Sequence, residues 1–172
     1  MGAIDGVPLL LQSAEATARS CELQFEEIVD LMERVGAQTT FVNGLRTTTV
    51  QLELTIIGVF SLFEARMRCH VPQGSFFRTL QTKLVEAEQG ELAERAHIYY
   101  LAINVLKHGE GPSYKALLDI SDLPFEIKRP GKFYFDEGDI SESEALINIM
   151  ASGFFKGLIQ TLEEAYQFLS SS

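Results

Sequence analysis

Apolar residues recur along most of the chain at the three-and-four spacing of amphipathic helices, with glycine and proline as punctuation. Residues 1–12 contain Gly2, Gly6 and Pro8 and read as a loose N-terminal arm. Ser13, with Glu15 in the first turn, is placed to cap a helix over 13–35 whose apolar stripe is Leu23, Ile28, Leu31 and Val35. Gly36 and the Asn43-Gly44 pair then mark a connection. Thr48 and Gln51 fit a capping box, opening a second helix through Val50, Leu54, Ile57, Phe60, Leu62 and Met67 to about His70, where Pro72 stops it.

A shorter amphipathic helix follows within 74–90, its inward face Phe76, Phe77, Leu80 and Leu84. The third long helix spans 91–108, with Leu92, Ala96, Tyr99, Ile103 and Leu106 as its core stripe and Gly109 at the C-cap. Gly111-Pro112 opens a short helical piece to Leu118. In 123–138, Phe125-Glu126-Ile127 and Phe133-Tyr134-Phe135 flank Arg129-Pro130-Gly131, the pattern of a small hairpin-like flap. Ser141 and Glu144 form a capping box for a last helix running through Leu146, Ile149, Phe154, Leu158, Leu162 and Leu169. Its Gly153 and Gly157 leave one face bare for a neighbouring helix. Four long amphipathic helices on short connections predict an all-α protein: an antiparallel four-helix bundle with short extra helices and the flap, forming one domain over 13–170.

Composition narrows the context. With 172 residues, 46% of them apolar, the chain can bury one proper core. The two cysteines, Cys21 and Cys69, read as buried free thiols and suggest a reducing cytoplasm. No basic-then-apolar leader is read at the N-terminus. The most apolar run, 56–63, is far short of the ~20 residues of a membrane span, so no membrane association is expected. A net charge of -10 opposes general coating of DNA or RNA, although Arg66, Arg68, His70, Arg78 and Lys83 cluster locally in sequence.

Most catalytic signatures are missing. The sequence has no phosphate-binding glycine loop, no Cys-x-x-Cys and no serine nucleophile elbow. Glu94-Arg95-Ala96-His97 is a single Glu-x-x-His, whereas a di-iron bundle uses two such motifs and two further glutamates. His97 and His108 stand ~16 Å apart along one helix, too far to share an ion, so neither metal nor cofactor is expected. What remains is a polar stripe of His97, Leu101, Asn104 and His108, returned to one face by steps of four, three and four, with Lys107 beside it. The negative end of the helix dipole lies at His108, which suits a proton donor or oxyanion partner, although a His and Lys at a helix end also serve simply to satisfy terminal carbonyls.

The segment from His97 to Gly109, followed by Gly111-Pro112-Ser113-Tyr114, resembles the motif helix of the HEPN superfamily. Those helical-bundle proteins include many metal-independent endoribonucleases of toxin–antitoxin, phage-defence and RNA-processing systems. Their motif is an Arg, often followed by a polar residue, and then a His four to six residues after the Arg. Asn104 matches the polar residue and His108 the histidine; Ile103 stands where the arginine belongs. A second family feature, a Glu followed four residues later by a basic residue on an earlier helix, is matched by Glu64 and Arg68.

The resemblance implies a homodimer whose two copies line a shared cleft, with RNA or a partner protein bound there. An arginine offers phosphate two parallel hydrogen bonds that no aliphatic side chain can. Losing such a transition-state contact commonly costs about 10²–10³ in rate, and Lys107 points ~100° away from His108. Three readings follow: a non-catalytic or degenerate HEPN-like module; an active endoribonuclease with His108 as general acid/base and Asn104 orienting phosphate; and a ligand-binding bundle using Tyr99, Tyr100 and the Phe133-Tyr134-Phe135 triplet.

Overall fold

A computed structural model describes residues 6–71, 73–129, 146–151 and 153–171. It is all-α, with helices α1 (Val7–Val35), α2 (Thr39–Met67), α3 (Phe76–Glu86), α4 (Gly90–His108), α5 (Pro112–Leu118) and α6 (Phe154–Ser171). A 3-10 turn, Arg68–His70, prolongs α2. Helix α6 packs against α1, α2 and α4, and α4 also meets α2, α3 and α5, so these two helices enclose the main core.

Helix α1 begins earlier than its stripe suggests. Gly6 stands at its N-cap and Pro8 within its first turn, where a missing N–H costs nothing. Val7 and Leu11 are fully buried, so the expected loose arm is part of the core over its described residues. Ser13 is not a cap: its hydroxyl donates to the carbonyl of Leu9 at 2.7 Å, one turn back inside the helix. The buried face is Val7, Leu11, Ala14, Ala18 and Cys21, while Leu23, Leu31 and Val35 of the predicted stripe are exposed.

Helix α2 also starts earlier, at Thr39, and contains the Asn43-Gly44 pair in its first turns. A Cβ on Gly44 would stand 2.9 Å from Cδ1 of Ile28, so this glycine permits close helix packing and not a turn. Thr48 lies buried in mid-helix, its hydroxyl bonded to the Gly44 carbonyl at 3.0 Å. The Arg66 guanidinium reaches the carbonyl of Gly6. The start of α1 thus meets the end of α2, and Ile28 meets Gly44 near the other end: the two helices form a long antiparallel hairpin. With its 3-10 extension α2 is far longer than the 56–63 run. The span Thr39–His70 has a mean hydropathy of 1.2 over its most apolar window, only 33% of it buried, and is long and apolar enough to cross a membrane.

Helices α3 and α4 and the short α5 fall where the periodicity places them. Phe76, Phe77, Leu80 and Leu84 are buried as expected, and Gly109, at φ 68°, closes α4 with its N–H on the carbonyl of Val105. The last helix does not. It begins at Phe154, and the preceding segment is extended: Ile147 bridges Ile127 in antiparallel fashion, with Lys128 N–H to the Leu146 carbonyl at 2.8 Å and Asn148 N–H to that of Glu126 at 3.1 Å. Burial on both sides of this pairing explains the change, since Phe125, Ile127, Ile147 and Ile149 all enter the core. Arg129 fastens the segment to the end of α5 by donating to the carbonyls of Leu118 and Ile120. The Phe133-Tyr134-Phe135 triplet and the Ser141/Glu144 box lie outside the described residues.

Candidate functional site

The C-terminal turn of α4 carries the candidate chemistry, and the core fixes how it is presented. Tyr99, Ile103, Ala102 and Val105 are buried, so α4 cannot rotate without exposing them. That orientation leaves Asn104 half-buried and Lys107 and His108 exposed. His97 is half-buried two turns earlier, and Leu101 between them is buried. The stripe His97, Leu101, Asn104, His108 therefore runs from the edge of the core out to solvent.

Ile103 is 0% exposed. The position at which the motif would carry arginine points into the protein interior, where a guanidinium has neither water nor phosphate to meet. Ile103 itself is a core packing residue.

Glu64 and Arg68 form an exposed i,i+4 ion pair on α2, with Nη2 to Oε1 at 2.5 Å. Arg68 is engaged further: Nη1 donates to the carbonyl of Gly74 at 2.9 Å, and its guanidinium carbon lies 5.9 Å from the Phe76 ring centroid. This side chain ties the end of α2 to the start of α3. The two candidate sets are linked by a residue the sequence reading passed over. Lys107 Nζ lies 3.3 Å from Ser61 Oγ, and Ser61, Glu64 and Arg68 share one stripe of α2. The available signal was a serine inside an otherwise apolar run.

The basic cluster does not form one face. Arg66 turns toward Gly6 on α1, and Arg68 toward Gly74. His70 is half-buried with Nε2 shielded and unpartnered. Arg78 is exposed on α3.

The described aromatics are engaged in packing. Tyr99 is buried against Phe125 and Phe154 with ring centroids 5.7 and 5.6 Å away. Burial pushes its hydroxyl up to about 12, partly offset by the charge of Arg95. Tyr100 stacks on Phe77, which stacks on Phe60. Cys21 is buried and Cys69 exposed, which corrects the expectation of two buried thiols; both are free. Burial, then the nearby Glu22, pushes the Cys21 thiol up, the reverse of what a nucleophile needs.

Among the described residues no group of three His, Cys, Asp or Glu side chains is arranged to hold a metal ion. Two open grooves lie between helices away from the α4 end. One open groove of about 650 Å³ between α1 and α6 mixes Glu15, Arg19, Glu22 and Lys156. Another, of about 310 Å³ between α1 and α2, is lined by uncharged side chains such as Cys21, Gln51 and Leu54. Set against known protein families, curated proteins and solved structures, the chain matches none of them.

Proposed function

We propose that the protein is a HEPN-like helical module, homodimeric and non-catalytic, that associates with RNA or with a partner protein of a defence or toxin–antitoxin type system through the exposed end of α4. One observation carries the non-catalytic part of this reading: Ile103 is fully buried, so the motif arginine is replaced by a core residue. Asn104, Lys107 and His108 remain at the surface as hydrogen-bond and charge donors suited to a phosphate backbone. Glu64 and Arg68 support the same end of the molecule through the Ser61 stripe.

The test is an RNA-binding and cleavage assay in EDTA, using single-stranded and hairpin RNA, on the native chain and on His108→Ala. Binding without strand scission, weakened in His108→Ala, is the expected outcome. Scission that disappears in His108→Ala would instead establish an active endoribonuclease. Absence of both binding and scission removes RNA from the reading.

A further inference from the structure

Helix α2 is apolar on two sides. Its inner side, from Leu52 through Ile56, Val59 and Phe63, belongs to the core. Its outer side bears Val50, Leu54 and Leu62, which are 51%, 65% and 48% exposed. Residues 47–63 contain a single charged side chain, the half-buried Glu53, in a protein of net charge -10. Gly58 sits in the middle of this outer ridge, and a Cβ built there meets nothing within 4 Å. Leu54 also borders the uncharged groove between α1 and α2. Monomeric surfaces seldom keep so long an uncharged ridge without a partner.

Charge indicates which partner. Because α1 and α2 are antiparallel, α1 residues 22–34 flank the first half of α2; they include Glu22, Glu26, Glu27, Asp30 and Glu33 against Arg34, which pairs with Asp30, and with Arg46 of α2 this half remains acidic in balance. Around the second half lie Arg66, Arg68 and Lys107, with Glu64 among them. A second copy laid antiparallel across this ridge sets each acid-flanked half against the other copy's more basic half. A parallel arrangement would oppose acid to acid. We infer that the outer face of α2, centred on Gly58 and bearing Val50, Leu54 and Leu62, is a homodimer interface in which α2 packs antiparallel on its symmetry mate. Such a self-complementary patch is what a two-fold interface requires. This assignment rests on the homodimeric reading above and adds the surface used. Since Lys107 contacts Ser61, three residues from Gly58, the two α4 ends come to the same side of the contact.

Light scattering on the full chain is expected to give twice the 19.2 kDa of one chain. Leu54→Glu combined with Leu62→Glu should halve the mass with unchanged helical circular dichroism, because both side chains are exposed. Val85→Glu, at an equally exposed apolar position on α3, should leave the dimer intact. In a Cys69→Ser background, Gly58→Cys should cross-link to its mate on oxidation. Val50→Cys should not, because eight residues displace it ~12 Å from the two-fold axis.

A dimer that survives the Leu54/Leu62 pair, or cross-links through Val50→Cys and not Gly58→Cys, overturns this interface while leaving the homodimeric reading in place. A one-chain mass at every concentration overturns both. A one-chain mass together with flotation on neutral phosphatidylcholine vesicles, abolished by the same double variant, would assign the ridge to a membrane.

Discussion

The ammonium of Lys107, at the end of α4, lies 3.3 Å from the hydroxyl of Ser61 on α2. This contact couples the candidate motif to the apolar ridge of α2, although both partners are exposed. It contributes little to stability: Ser61→Ala and Lys107→Ala should each change unfolding free energy by less than ~0.5 kcal/mol in urea titrations. The two should differ in RNA binding. Lys107→Ala is expected to weaken it and reduce the salt slope by about one, whereas Ser61→Ala leaves it unchanged.

Gly157 on α6 faces the hydroxyl of Tyr99; a Cβ there would stand 2.2 Å from Oη and 3.3 Å from Cζ. Gly157→Ala should therefore overpack the core and destabilise by about 1–3 kcal/mol. Tyr99→Phe removes the clashing oxygen, so the double variant should be more stable than the sum of the single changes implies. Additive losses in a double-mutant cycle would show that the contact is not the cause.

Ile103→Arg puts an arginine where the resembled motif carries one, in sequence only. Because the site is fully buried, the variant should lose several kcal/mol of stability, or fail to fold, and gain no ribonuclease activity. Thermal melts and the EDTA cleavage assay check the two halves; a stable, RNA-cleaving Ile103→Arg would contradict the core assignment.

Leu11 is 2% exposed in the first turns of α1, in a segment whose sequence suggests a loose arm. Leu11→Ala is expected to cost about 2–5 kcal/mol, as for other large-to-small core changes. A loss below ~0.5 kcal/mol would mean that this turn is not packed.

Tyr99 should make stability fall at high pH. Its hydroxyl titrates near 10 when unfolded and at about 12 when folded, so between these values the unfolded chain has released a proton that the native chain retains. Unfolding is then favoured as pH rises, by on the order of 2–3 kcal/mol once both limits are passed. Denaturation midpoints between pH 9 and 12, compared with Tyr99→Phe, read this directly; parallel curves would remove the effect from Tyr99.

The α-helical class, α3 and the core stripe of α6 were legible because of a strong local period, whereas α4, buried on more than one face, and the short α5 were legible from the glycines and proline that bound them. Boundaries failed where a residue has two uses. Asn43-Gly44 has the composition of a turn, yet the glycine serves contact with Ile28; Thr48 resembles a cap, yet bonds to Gly44 within the helix. Leu146 to Met150 continue the period of α6, yet Ile147 pairs with Ile127.

The sequence by itself determined that this chain forms amphipathic helices and that Asn104, Lys107 and His108 end one of them, since both follow from local spacing. Which face of each helix is inward was decided by the tertiary structure, because burial depends on neighbours distant in the chain. That decision places Ile103 in the core, leaves Leu54 and Leu62 outside, and brings Ser61 to Lys107. The end of α4 was written locally; its surroundings were set by packing.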